Sequence, residues 1–160
     1  MDEKVIKQEC LKLVESTELM HLATNGADGI PQMRLMANIR GSQSCEDCSQ
    51  AAKDFLAKQH SDDFTAYMVT GHSSPKMAEI RANPNVSLYY CKSPEELHTL
   101  LVCGVAEEVT DMELKKCLWR EGWKMHWPGG AEDPELVLLK VTAKHIKGWY
   151  KEGPFEFTCQ

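Results

Sequence analysis

Between Leu19 and Arg40 the chain reads as two strands joined by a short turn, and that hairpin constrains the fold more than any other feature. Leu19 to Thr24 has strand composition. Asn25-Gly26-Ala27-Asp28-Gly29 supplies residues that tolerate positive φ, so the chain can reverse there. Gln32 to Arg40 then alternates. Met33, Leu35, Ala37 and Ile39 fall on one face, and Gln32, Arg34, Met36, Asn38 and Arg40 on the other. Further strands are expected at Phe64–Thr70, Val86–Cys91, Leu97–Val109 and Glu135–Lys144. Ile146–Tyr150 extends or follows the last of these, and Phe155–Cys159 is a possible terminal strand. Gly104 is the expected bulge in the fifth strand. Many short strands with few helices point to a small antiparallel barrel or sandwich. The alternating strand–helix pattern and glycine fingerprint of a dinucleotide fold are absent from the sequence.

Helices are expected at Glu3–Ser16, where Ile6, Cys10, Leu13, Val14 and Thr17 recur at helical spacing, and at Ala51–Lys58 and Pro75–Ala82. Asn83-Pro84 closes the third, because the residue before proline leaves the α region. Thr110-Asp111-Met112-Glu113 has the form of a capping box, with Thr110 at the cap of a helix running to about Gly122. Trp127-Pro128-Gly129-Gly130 breaks the chain. One domain over 1–160 is expected from the length.

The net charge of −6 argues against a nucleic-acid partner, which needs a basic footprint. No apolar run approaches the ~18 residues of a membrane span, and Met1–Glu9 lacks an apolar leader core, so a cytoplasmic protein is expected. Seven cysteines are then expected as thiols. Cys45-x-x-Cys48 reads as an incidental loop pair, with a redox dithiol or half a metal site as the functional readings. The histidines show no ligand spacing, so no metal site is expected.

The segment Thr70-Gly71-His72-Ser73-Ser74-Pro75-Lys76 carries the chemistry. Ser74 is a good helix cap and Pro75 a good first helical residue. Lys76 then places a cation in the first turn, where the helix dipole disfavours it and where a bound anion would repair the mismatch. An ordinary capped surface helix with a solvated lysine is the plainer reading. Arg34 could fork onto two phosphate oxygens, or its strand face could simply meet water. Trp119, Trp123, Trp127 and Trp149 read as packing anchors or, for the middle pair, as rings that could stack on a ligand.

Taken together, Leu22-Ala23-Thr24, a glycine turn and Pro31–Met36, then Val69-Thr70, Ser74-Pro75-Lys76, Ile80 and Asn83–Tyr89, resemble the FMN-binding split barrels of the pyridoxamine 5′-phosphate oxidase-like family. Gly104-Val105-Ala106, Asp111, Trp119, Pro128-Gly129-Gly130, Asp133-Pro134, Leu138–Val141 and Trp149-Tyr150 resemble its general stress protein subgroup. The resemblance implies a six-stranded split barrel, a homodimer and FMN at the dimer interface. It implies that Arg34 and Lys76 take the phosphate with Val69, Thr70 and Ser74 nearby, and that the backbone of Leu35, Met36, Ala37 and Asn38 runs beside the flavin ring. Tyr89, or a residue after Gly104, would reach the flavin from the partner chain. The implied activity is oxidoreduction of an unidentified small molecule, with no catalytic side chain assigned. The alternatives are a non-catalytic flavin binder in stress response, or a barrel holding haem or F420. The C-terminal Arg-x-His motif of the true oxidases is missing from Lys151–Phe157, so pyridoxamine phosphate oxidation is not expected. Pro75 stands where the family often has an arginine.

Overall fold

The structure is a computed structural model that describes residues 2–40, 46–58, 64–92, 95–151 and 153–159. Helix α1 (Glu3–Ser16) is capped by Asp2, whose carboxylate accepts from Lys4 N, and it buries Ile6, Cys10, Leu11, Leu13 and Val14. Strands β1 (Leu19–Asn25) and β2 (Pro31–Ala37) form the expected hairpin, paired from Leu19↔Ala37 to Asn25↔Pro31. Gly29 takes φ +80° in the turn, as that turn chemistry requires. Next come α2 (Gln50–Ala57), β3 (Ala66–Gly71), α3 (Pro75–Ala82), β4 (Asn85–Cys91) and β5 (His98–Glu108). The chain ends with α4 (Met112–Leu118), two 3₁₀ turns (Glu121–Met125 and Gly130–Glu132), β6 (Leu136–Tyr150) and β7 (Gly153–Thr158).

All described pairings are antiparallel, in the order β2-β1-β4-β5-β6-β3, with β7 added to β6. The sheet curls until its two end strands approach, and Ile39 N donates to Tyr67 O at 3.4 Å across the gap. This is the split-barrel α+β fold expected from the sequence, with β7 as a seventh strand. The main core fills the barrel with Met20, Leu22, Leu88, Leu100, Val102, Leu139, Val141 and Ile146, closed on one side by α1. A second cluster, Ile39, Ala52, Leu56, Tyr67, Leu118 and Leu138, packs α2 and α4 against β3 and β6. The predicted bulge is present, because the β5–β6 register shifts between Cys103 and Gly104. A Cβ at Gly104 would run into the Thr142 carbonyl, so glycine is needed there.

Four expectations are corrected. On β2 the apolar residues Met33, Leu35 and Ala37 face outward, Met33 68% and Leu35 56% exposed, while Met36 is buried; just past the strand Asn38, Ile39 and Arg40 are all buried. Alternation marks two faces without saying which is covered, and here the inward face carries its own partners. Asn38 donates to the Val14 and Thr17 carbonyls. The cap of α4 is Asp111, not Thr110, because its carboxylate accepts from both Glu113 N and Leu114 N. That helix stops at Leu118, where the chain turns into 3₁₀ geometry. Cys48 is disulfide-bonded rather than a thiol, whereas Cys10, Cys91, Cys103, Cys117 and Cys159 are free. Cys45 lies outside the described residues.

His98, at the start of β5, is buried edge-on to Tyr150 with ring centroids 4.8 Å apart, and its Nε2 has no hydrogen-bond partner among the described residues. Burial holds its imidazole below the ordinary value of 6.5; Glu9 and Glu96 oppose that and Lys92 adds to it. The unfolded chain therefore binds this proton more readily. The stability His98 contributes is intact above pH 6.5 and is lost as pH falls through its folded-state pKa, with a slope of at most about 1.4 kcal/mol per pH unit. Urea unfolding between pH 7 and 5 should show this acid loss, and a His98→Gln variant should show a shallower one.

Candidate functional site: a cationic cluster between β2, β3 and α3

The β1–β2 register sets Leu22 opposite Arg34, so Arg34 shares the inward face of the sheet with Leu22 and Thr24. Its guanidinium is held firmly. Nη1 donates to Thr24 Oγ1 at 2.6 Å and to the carbonyls of Leu22 and Gln32, each at 3.3 Å. Nη2 donates to Glu79 Oε1 at 3.1 Å, forming an ion pair whose side chains are only 24% and 14% exposed. The plainer sequence reading, an arginine simply facing water, does not hold.

Lys76 reaches the same place from α3. Its Nζ donates to Thr70 Oγ1 at 3.0 Å, and Thr70 lies 3.4 Å from Ser74 Oγ. Desolvation lowers the lysine pKa below its ordinary value, the Arg34 charge lowers it further, and Glu79 pulls it back up. Lys76 thus stands in a partly dry place where the Arg34 charge is felt. Ser74 is the N-cap of α3 yet makes no side-chain cap bond, and the first turn contains no acidic residue. The helix start is left electropositive, which suits an anion.

The structure therefore brings together Arg34, Thr70, Ser74 and Lys76 from the sequence-derived set. It adds Thr24 and Glu79, which sequence reasoning missed. Glu79 had a legible signal, because three residues beyond Lys76 it shares that face of the helix. Thr24 sits diagonally across the β1–β2 pair from Arg34, within reach of a long side chain. The remaining candidates lie elsewhere. Val69 packs on the second core cluster, Met36 lies in the main core, and Asn38 spends its side-chain amide on α1. Leu35, Ala37 and Tyr89 are exposed on the outer face. Tyr89 pairs with His21, one residue out of phase with Leu22 and Arg34, so it points away from the cluster within the same chain.

Two neighbouring features frame this site. A cleft of about 410 Å³, lined by Thr24, Asn25, Pro31, Ser87, Cys103 and Lys144 among others, shares only Thr24 with the cluster. Beyond α4, Trp119, Trp123 and Trp127 stand edge to face with centroids 5.8 and 6.5 Å apart, and the Arg120 guanidinium lies 5.3 Å from the Trp123 ring centre. Trp123 packs on the second core cluster, which gives that ring an anchoring role. No group of three or more potential metal ligands occurs among the described residues. No helix there is long and apolar enough to cross a membrane.

The donor set fits a phosphate monoester: a guanidinium, an ammonium, two hydroxyls at Thr70 and Ser74, and a helix start without acidic residues. The chain is similar to several known proteins. General stress protein 26 of Bacillus subtilis (strain 168) is 32% identical over 89 residues, which make up 54% of this chain and 62% of that protein. The matched stretch thus spans less than two thirds of that relative. A solved protein related to general stress protein 26 from Clostridium acetobutylicum, of the pyridoxinephosphate oxidase family, superposes with a TM-score of 0.73 at 23% identity, covering 99% of this chain and 96% of that one. A haem-binding protein from Mycobacterium smegmatis shares the fold at TM-score 0.67 and 12% identity, over 99% of this chain and 60% of that one. A FAD-binding protein from Mesorhizobium loti does so at 0.60 and 19%, over 90% and 94%. These three likenesses are of the fold alone. The model of pyridoxamine 5′-phosphate oxidase-like proteins matches residues 45–160, a span that contains Thr70, Ser74, Lys76 and Glu79 but not Arg34. This chain is a member of the pyridoxamine 5′-phosphate oxidase-like family.

Proposed function

We propose that the chain is a flavoprotein that holds FMN by its phosphate at the Arg34–Lys76 cluster and works as an oxidoreductase on a small molecule. One observation carries the reading. Arg34 of β2 is bonded to Glu79 of α3, and Lys76, one turn earlier on that helix, meets Thr70 at the end of β3 beside Ser74, so two cations and two hydroxyls gather around the start of α3. Lys76 in that first turn runs against the helix dipole, a mismatch that a bound anion would offset. The bound ring would supply hydride or electron transfer, and the protein's part is binding and orientation. Among the described residues, β2 pairs only with β1, so the backbone along its other edge is available to the polar edge of a flavin.

The proposed unit is a homodimer. Leu35, His21, Tyr89 and Leu101 form a row across four strands on the outer face, with Met33 and Leu19 beside it. Leu19, Met33, Leu35 and Tyr89 are all exposed in the single chain. An apolar face of this kind calls for a partner. A two-fold partner would bring its own Tyr89 face against this one.

Haem is the competing ligand, since a haem-binding protein has the same fold. The absorption spectrum of the protein mixed with each ligand separates the two. The flavin reading expects the paired visible flavin bands to shift on binding, and no stable Soret complex with haemin. A haemin complex with no flavin binding would overturn it.

A further inference from the structure

We infer that Glu79 is a resident counter-ion of the phosphate site, which stabilises the empty site and weakens the hold on the flavin, so that the flavin exchanges rather than staying locked in. This rests on the phosphate reading of the cluster. Glu79 projects from the same face of α3 as Lys76 and bonds Arg34 Nη2 at 3.1 Å. It is the ion-pair partner of the half-buried Arg34, and one turn of helix separates it from Lys76, whose charge it favours. One possible task is to orient Arg34, yet the arginine does not need it for that. Nη1 is already anchored by three acceptors on β1 and β2, one of them the buried Thr24 hydroxyl at 2.6 Å.

What Glu79 adds is charge. In the empty protein it offsets the repulsion between Arg34 and Lys76. In the loaded protein it becomes a like charge beside a phosphate and competes with that phosphate for Nη2. The same carboxylate therefore acts with opposite sign in the two states, and the affinity of the site reflects the difference.

The test is Glu79→Gln in the full chain, with Glu79→Asp as the charge-retaining control. FMN and riboflavin are titrated against each, and thermal unfolding is followed without ligand. Glu79→Gln should melt lower when empty. It should bind FMN roughly tenfold more tightly, the scale of one screened charge–charge interaction, release it more slowly, and leave riboflavin affinity unchanged. Glu79→Asp should stay close to wild type. Weaker or unchanged FMN binding in Glu79→Gln, in a protein that still prefers FMN to riboflavin, would overturn the inference and make Glu79 a positioning residue or a bystander. Tighter FMN binding in Glu79→Asp would show that charge is not the cause. Equal affinities of the wild type for FMN and riboflavin would remove the phosphate reading itself.

Discussion

Replacing Lys76 or Arg34 by alanine should weaken FMN binding by about 1.5–3 kcal/mol each, the range for hydrogen bonds to charged groups, which is roughly 10- to 150-fold. Riboflavin, which lacks the phosphate, should lose little. The two variants should differ in degree. Lys76→Ala removes a cation tied to Thr70 and leaves the Arg34–Glu79 pair intact. Arg34→Ala also strips Glu79 of its ion pair, so a carboxylate without that partner remains beside the proposed phosphate position. Arg34→Ala should therefore show the larger loss, and adding Glu79→Gln should restore part of it. Fluorescence titration of both flavins against each variant measures this. Similar losses for FMN and riboflavin would show that the cluster does not read the phosphate.

The second large effect concerns the outer face. Met33 is the most exposed of the apolar side chains on that sheet face and takes no part in the cationic cluster. Met33→Asp should leave the fold of the single chain intact, because the side chain touches little within it. In a two-fold interface the change acts twice. Interface hot-spot losses of about 2 kcal/mol per copy would then raise the dimer dissociation constant by on the order of 1,000-fold. Sedimentation should show a wild-type dimer and a Met33→Asp monomer, and FMN should bind the monomer more weakly. By linkage, FMN should shift the wild type further toward dimer. A wild-type monomer that binds FMN at full strength would contradict the shared interface and leave the phosphate cluster standing.

Much of this architecture was legible in the sequence, for identifiable reasons. Ser74-Pro75 and Asn83-Pro84 bracket α3 because proline is compatible only with the ends of a helix, and the structure places that helix at Pro75–Ala82 as expected. Gly104 announced a bulge because a strand interior rarely accepts glycine without a reason, and the reason is the Thr142 carbonyl pressed against it. Lys76 stood out through a local mismatch with the helix dipole, and the structure sets its ammonium 3.0 Å from the Thr70 hydroxyl. The failures have equally physical causes. Periodicity fixed the two faces of β2 but not their burial, because Asn38 and Arg40 can be buried once α1 and the loop carbonyls satisfy them. Thr110 and Asp111 are both good caps, and only backbone geometry chose Asp111. Glu79 and Thr24 were missed because each matters through a partner distant in sequence, Arg34 in both cases.

The central claim is that this fold holds a flavin by its phosphate, and a side-by-side titration of the wild-type chain with FMN and riboflavin tests it most directly. The two ligands share one ring system and differ at the phosphate, so any difference in affinity reports the Arg34–Lys76 cluster. The account predicts saturable FMN binding, tighter than riboflavin by at least the roughly tenfold that one charged hydrogen bond confers, with the gap narrowing as salt is raised. Equal affinities, or no binding of either flavin, would contradict it.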